Sequence, residues 1–272
     1  MNLKKALATV LAAVSVFGAL GLTACGGKGS YVAKKIEGVE VEKYGFAVGK
    51  NASKKTEILA AMNEVIAETD IDAAVKYYTS VSKDETPTVT LDFANLADNT
   101  AGTLNVYTCS GFEPYEFIDA NENVIGVDIY LMELVAEELN MKIKVHDMDF
   151  DGIVGKVAQE DNAIGAAGIT ITEDRKKEVE FSNAYFDSTQ CIISTKDQAF
   201  VKLSDLAGKK IGVQKGTTGA LMVQDAIDNG ELKDTGSEIV EYDTGAVAFT
   251  ALKQGKIDFI VIDELPAQKL VS

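Results

Sequence analysis

The sequence predicts an α/β fold of two lobes, each a mostly parallel sheet with helices on both faces. Strand-like runs alternate with stretches of helical periodicity, the pattern expected of parallel sheets covered on each side. The alternation comes in two blocks, near residues 104–168 and 210–262. The 272 residues also suffice for two units of ordinary domain size once a leader is set aside.

Residues 1–24 read as that leader. Lys4 and Lys5 precede an apolar stretch from Ala6 to Leu22, and small residues follow. A positive start and a short apolar core without a second charged flank indicate a secretory signal. Leu22-Thr-Ala-Cys25 is similar to a bacterial lipobox, so Cys25 is expected to be the lipidated first residue of the mature protein, followed by a tether over residues 25–29. A diacylglyceryl cysteine carries two acyl chains, enough to hold a protein at a membrane where one chain is not. No other run is long and apolar enough to span a bilayer. The expected location is extracytoplasmic, on the membrane of a bacterium.

Removing residues 1–24 takes away Lys4 and Lys5 and no acid, which moves the formal charge from −16 to −18. Such a surface repels a phosphate backbone and excludes nucleic acid as a partner. An anionic ligand would have to be captured against the overall field, so a zwitterionic or cationic one is favoured.

The elements follow in order. Ser53 is placed to cap a helix whose Ile58, Met62, Val65 and Ile66 form an apolar stripe, and a second helix runs from about Ile71 to Tyr78. Residues 82–102 are polar and turn-rich, with Lys83-Asp-Glu-Thr-Pro87 and Asp98-Asn-Thr-Ala-Gly102, and read as a joining linker in which 88–93 adds an edge strand. Strands are expected at 104–107, 142–147 and 163–168, with a helix at 127–139 whose Ile129, Met132, Ala136 and Leu139 share a face. The second block predicts strands at 210–214, 238–242 and 258–262 and helices at 218–229 and 244–254.

The chemistry narrows quickly. His146 is the sole histidine and lies in an alternating strand pattern, where a rim or exposed position is expected. Without further histidines or a CxxC spacing, no metal site, cofactor or Ser/Cys-His apparatus is indicated. An export context permits Cys109 and Cys191 to pair, but two buried reduced thiols are the favoured reading. Lys and Arg number 26, and only Arg175 is arginine. A chain that uses lysine for every other cation and arginine once points to a place where a planar fork of donors meets a carboxylate.

Arg175 follows Gly165-Ala-Ala-Gly168-Ile-Thr170-Ile-Thr172-Glu-Asp and precedes Lys-Lys-Glu-Val179-Glu-Phe-Ser182. This stretch resembles the family 3 extracellular solute-binding proteins, the amino-acid receptors of ABC importers. Phe112-Glu-Pro-Tyr-Glu-Phe117, Gly126-Val-Asp-Ile-Tyr-Leu-Met-Glu-Leu-Val-Ala136 and Asp149-Phe-Asp-Gly-Ile153 resemble the family's preceding segments. Lys210-Ile-Gly-Val-Gln-Lys-Gly-Thr-Thr218 and Ile260-Val-Ile-Asp-Glu-Leu-Pro266 resemble its second lobe. The resemblance implies a two-lobed periplasmic-binding-protein type II fold with two hinge crossings.

The order differs from the family's. Glu42-Lys-Tyr-Gly-Phe-Ala-Val-Gly-Lys-Asn51 and the helices after it resemble segments that in the family follow the second lobe. A circular permutation is the expected cause, which exposed termini tolerate; a truncated tandem duplicate is the competing reading. Lobe one is then residues 47–191, and lobe two is 192–272 with 30–46. Hinges are expected near Tyr44–Ala47 and Cys191–Ser194.

Residue by residue, the resemblance implies that Arg175 grips a ligand α-carboxylate with help from Thr170. Gly168 offers a carbonyl to the α-ammonium. Thr217 and Thr218 sit at a helix start whose amides favour a carboxylate, with simple capping by Thr217 as the alternative. Asp263 pairs with the α-ammonium or caps the helix after it. Phe112 and Phe150 are expected in loops, flanking the ligand side chain. Cys109 stands where receptors for basic amino acids carry an acid, which favours a neutral polar amino acid or cystine; Gln190 is a further candidate contact.

The implied function is that of a monomeric, membrane-anchored receptor that captures an amino acid by closure and hands it to ABC permease subunits. Enzymes on the same fold, dehydratases of cyclic carboxylates, form the alternative, with Glu173 or Asp263 as acid or base. A ligand-sensing lipoprotein is a third. If Cys25 carries the anchor, Cys25→Ser will abolish incorporation of labelled fatty acid and release the protein from membranes, read by fractionation.

Overall fold

The computed structural model describes residues 31–196 and 200–272. The expected signal, tether and Cys25 lie outside the described residues. In chain order the strands and helices are β1 (Tyr31–Lys35), β2 (Glu42–Tyr44), β3 (Ala47–Gly49), α1 (Lys55–Glu68), α2 (Ile71–Ser82), β4 (Thr103–Thr108), β5 (Phe117–Ile118), β6 (Val124–Ile125), α3 (Val127–Glu138), β7 (Lys142–Asp147), α4 (Phe150–Gln159) and β8 (Ala163–Gly165). They continue with β9 (Val179–Phe181), β10 (Phe186–Ser188), β11 (Gln190–Thr195), β12 (Lys210–Gln214), α5 (Thr218–Asp228), β13 (Glu238–Tyr242), α6 (Gly245–Lys253), β14 (Phe259–Asp263) and α7 (Glu264–Val271). Short 3-10 turns cover Arg175–Lys177 and Leu203–Leu206.

Two five-stranded sheets result. The first has the order β7-β4-β8-β3-β9, with β4 parallel to β7 and β8 and β3 antiparallel to β8 and β9. The second has the order β1-β11-β14-β12-β13, with β12 parallel to β13 and β14 and β11 antiparallel to β14 and β1. Residues near the start of the chain therefore supply strands to both sheets. A two-stranded ribbon, β2 against β10, lies in chain order between β1 and β3 and between β9 and β11.

The helices form where their apolar stripes can be covered. Ile58, Ala61, Met62 and Val65 of α1 are buried and pack with α3, whose Ile129, Met132, Val135 and Ala136 are also buried. Caps fix several starts: the Asp70 carboxylate accepts from Ala73 N at 2.9 Å, and Thr244 Oγ1 from Val247 N at 3.3 Å. At the start of α3, Gly126 has φ +141° and a Cβ there would lie 2.0 Å from the Tyr115 carbonyl oxygen, so the loop-to-helix turn requires glycine.

Several expectations need correcting. Ser53 caps nothing: Lys54 is the N-cap, and Ser53 Oγ donates to Asp161 Oδ2 at 2.7 Å, tying this loop to the end of α4. Residues 88–93 form no strand, because side chains satisfy this segment instead. Tyr130 Oη donates to the Asp92 carbonyl at 3.1 Å, Glu137 accepts from Asn95 N at 3.0 Å, and Phe93 packs edge-on to Tyr130 at 5.7 Å. Cys191–Ser194 lies inside β11, bonded on both sides, and is not a crossing. His146 is half-buried, stacked on Tyr107 at 4.7 Å and bonded to Asn105 Oδ1 at 3.0 Å. Cys109 and Cys191, by contrast, are free, buried thiols, as the favoured reading had them.

Because α1 is core to the first sheet, Met62→Ala is expected to lower the unfolding free energy by about 2–5 kcal/mol, by removing a fully buried side chain. Urea denaturation should show this as a shifted midpoint of the transition.

Candidate functional site

The carboxyl ends of the parallel strands in the two sheets face one another, the place where open α/β sheets present ligand-binding loops. Cys109, Phe112 and Glu116 follow β4, Phe150 follows β7, and Ala167, Gly168, Thr170 and Arg175 follow β8. From the second sheet come Gln214 at the end of β12, Thr217 and Thr218 at the start of α5, and Asp263 at the end of β14. These twelve line one cavity. It measures about 10 Å³, the space of a single water molecule. Nine of the ten contacts that the resemblance implied are among them; the tenth, Gln190, is not and donates instead to Glu42 at 3.2 Å.

Arg175 sits at the seam. One guanidinium N–H donates to the Thr170 carbonyl at 2.8 Å and another to the Gly216 carbonyl at 3.1 Å, so a single side chain touches both lobes. The group lies 5.3 Å from the centre of the Phe150 ring. Burial lowers its pKa from the ordinary value, opposed by the charges of Glu42 and Asp263. Three of its five N–H donors are not used by these carbonyls.

Asp263 is 5% exposed, and its side chain caps no helix. Its Oδ1 accepts instead from Tyr44 Oη at 2.6 Å and Ser188 Oγ at 3.2 Å. Burial, with the charge of Glu42 next, pushes its pKa up to about 6. Thr217 Oγ1 accepts from Ala220 N at 3.2 Å and donates to the Gln214 carbonyl at 2.7 Å, so it caps α5 while lining the cavity.

Gly168 has φ +55°, and a Cβ there would lie 2.7 Å from the Phe112 ring. Its N–H donates to Asp128 Oδ2 at 2.9 Å, while Tyr185 Oη donates to Asp128 Oδ1 at 2.6 Å. Asp128 thus holds the peptide of Gly168 from behind. Its pKa is raised by burial to about 7 despite those two donors. Phe112 lies in a loop as expected, whereas Phe150 is the first residue of α4. Gly152 is accommodated in the first turn of that helix instead of breaking it.

Two acids were not foreseen. Glu116 is 1% exposed, lines the cavity, and neither of its oxygens has a hydrogen-bond partner among the described residues. Burial, and then Asp128, holds its pKa well above the carboxylate range. Glu42, at the start of β2, accepts from Thr170 Oγ1 and Thr218 Oγ1, each at 2.7 Å, and from Gln190 Nε2 at 3.2 Å. Both belong to a sequence with 42 acids, and neither stands in a spacing that sets it apart. Cys109 stays a thiol, its pKa pushed up to about 11 by burial, and accepts from Gln214 Nε2 at 3.5 Å. Glu173 is exposed and paired with Lys176 at 2.8 Å, away from the cavity.

Two α/β lobes facing across a cavity, each built on a mixed five-stranded sheet, are the architecture of two-lobed periplasmic binding proteins of type II. The chain belongs to the bacterial extracellular solute-binding proteins, family 3, whose sequence profile matches residues 104–242. It is 34% identical over 110 residues to the arginine-binding extracellular protein ArtP of Bacillus subtilis (strain 168), covering 40% of this chain and 43% of that one. Against other curated arginine- and histidine-binding relatives it likewise spans less than two thirds of their length. Among solved structures it resembles holo ArgBP from T. maritima, at 38% identity and a TM-score of 0.57 over 62% of this chain and 73% of that one. It also resembles the ancestral amino acid-binding protein AncCDT-1, a precursor of cyclohexadienyl dehydratase, at 32% identity and a TM-score of 0.54 over 60% and 70%.

The buried acids make stability depend on pH in a definite direction. Asp128 and Asp263 bind protons more tightly folded than unfolded, so the penalty for their charge is absent in acid and grows as pH rises through about 6 and 7. The melting temperature of the ligand-free protein should fall between about pH 5 and pH 7. Asp128→Asn should flatten that slope in a calorimetric pH series.

Proposed function

We propose that the protein is an extracytoplasmic receptor that captures an amino acid by closure of its two lobes and delivers it to an ABC importer. The observation that carries this reading is the pairing, in one cavity, of Arg175 with Asp263. A zwitterion offers a carboxylate to the first and an ammonium to the second, and the two come from different lobes. Thr170, Thr217 and Thr218 supply donors near the carboxylate, the Gly168 carbonyl faces the ammonium, and Phe112 and Phe150 contact the side chain. Contacts completed only on closure are the ones that shift the open–closed equilibrium.

A cationic side chain fits the far end best. The acid absent at Cys109 is supplied by Glu116 from the other end of the same loop, and a buried carboxyl without a partner is a strong demand for a donor. A guanidinium or ammonium meets that demand, and a neutral polar group meets it less well. Arginine-binding relatives support the same choice.

The division into lobes joined through the β2–β10 ribbon is part of this reading, with the expected boundary at 191–192 moved back to the ribbon because Gln190 and Cys191 pair within the second sheet: lobe one is then 47–185, with 82–102 as the join, and lobe two is 190–272 with 31–41. So is a circular permutation, supported by the supply of β1 to one sheet and β3 to the other from the start of the chain. Lipidation at Cys25 places the receptor at the membrane beside its permease, as a monomer. An enzyme on the same frame would have Glu116 or Asp263 as its proton-binding groups. The likeness to AncCDT-1 is what keeps that second reading in play.

Calorimetric titration with the common amino acids and cystine tests the proposal. L-Arginine or another cationic amino acid should bind, and Arg175→Lys should weaken binding at least tenfold with the fold intact. Glu116→Gln should weaken the cationic ligand by about 10–100-fold, the worth of one charge-assisted contact, while sparing neutral ones. Turnover of a cyclic carboxylate without amino-acid binding would replace the receptor reading with the enzyme.

A further inference from the structure

The donors that the receptor reading assigns to a ligand's carboxylate already hold one. Glu42 Oε2 accepts from the hydroxyls of Thr170 and Thr218, each at 2.7 Å, and those two oxygens lie 3.5 Å apart. Thr170 follows β8 in the first lobe, Thr218 opens α5 in the second, and Gln190, which donates to Glu42 Oε1 at 3.2 Å, opens β11. One carboxylate is thus clasped from both sides of the cleft, at the amino end of an 11-residue helix. Gly219 makes room for this clasp, since a Cβ there would lie 2.7 Å from Gln190 Oε1.

Glu42 stands at a boundary. Thr170 and Thr218 line both the inner cavity and an open outer groove of about 480 Å³, whereas Glu42 lines only the groove. Its carboxylate is bonded to the two residues that the cavity and the groove share.

The geometry points to Glu42 as a tethered stand-in for the ligand's carboxylate, one that latches the lobes together and that an incoming amino acid must displace. This rests on the receptor reading. A threonine hydroxyl has a single proton to donate, so Thr170 and Thr218 serve Glu42 or the ligand, not both at once. Two carboxylates on one pair of hydroxyls would also repel. The ligand therefore takes its seat only in molecules where Glu42 has swung out, and its apparent dissociation constant is the intrinsic one divided by that fraction. Because Glu42 is attached to the hinge ribbon, its effective concentration at the seat is in the range reached by short linkers, about millimolar or above.

The test uses the mature protein, its Glu42→Ala and Glu42→Gln variants, and Lys43→Ala as a neighbouring control, with folding checked by circular dichroism. Small-angle scattering without ligand should show a larger radius of gyration for Glu42→Ala than for wild type and control. Titration with L-arginine should show Glu42→Ala binding at least tenfold tighter, with Glu42→Gln, which keeps the shape but not the charge, in between. Unchanged scattering together with unchanged affinity overturns the inference, as does weaker binding, which would make Glu42 part of the ligand's own seat. Expanded scattering in Glu42→Ala with no amino acid bound by any form would support the latch and overturn the receptor reading instead.

Discussion

Everything in the cleft is arranged around one guanidinium held by two carbonyls. Arg175 spans from the Thr170 carbonyl to the Gly216 carbonyl, so it belongs to both lobes at once. Carbonyl oxygens orient a cation but do not neutralise it, and a sheltered positive charge without a compensating anion is costly. The rest of the site answers that charge. Phe150 places its ring face against it, Glu42 and Asp263 raise the local negative potential, and threonine hydroxyls gather where an anion would dock. A lysine could not do the same, since a point ammonium has no fixed fork with which to hold two carbonyls and still aim donors inward.

The opposite end obeys the complementary rule. Asp128, Glu116 and Asp263 are buried acids whose pKa values are all raised, and only Asp128 and Asp263 have hydrogen-bond donors. Asp128 accepts from Tyr185 and Gly168, which fixes the Gly168 peptide, and it does not line the cavity. Glu116 has the reverse character, with no partner and a place on the cavity wall. The contrast separates a positioning acid from one available to a ligand, although both lie in the same apolar surroundings.

How much of this was legible from the chain depended on distance. Arg175 stood out by composition, and Thr170 and Gly168 were named by the family resemblance of the loop that leads to it. The alternating strands and helices were readable as periodicity, with most ends within a residue or two, although β8 stops three residues before its expected end and α2 runs four beyond it. Ser53 was misread because a polar residue before a helix looks like a cap whether or not its hydroxyl has a better acceptor, here Asp161. Phe150 was placed in a loop because Gly152 follows it, yet the first turn of a helix tolerates glycine. Glu42 and Glu116 were invisible for a different reason: an acid is marked by what surrounds it in space, and Glu42 meets residues more than a hundred positions away.

The ribbon is where these long-range contacts converge. In a strand, residues two apart point to the same side, so Glu42 and Tyr44 of β2 both turn toward the cleft while Lys43 turns to solvent. Lys43 pairs with Asp187 at 2.8 Å in an exposed contact that adds little stability. Tyr44 is fully buried and donates to Asp263, whereas Glu42 accepts from the hydroxyls of Thr170 and Thr218. One short strand therefore carries both contacts, so any twist of the ribbon moves them together. The donors of the Glu42 clasp come from loops of both sheets, so any separation of the sheets would break or stretch it. Tyr44 and Ser188, by contrast, lie on the two ribbon strands and both donate to Asp263 Oδ1, which ties the ribbon to the end of β14 alone.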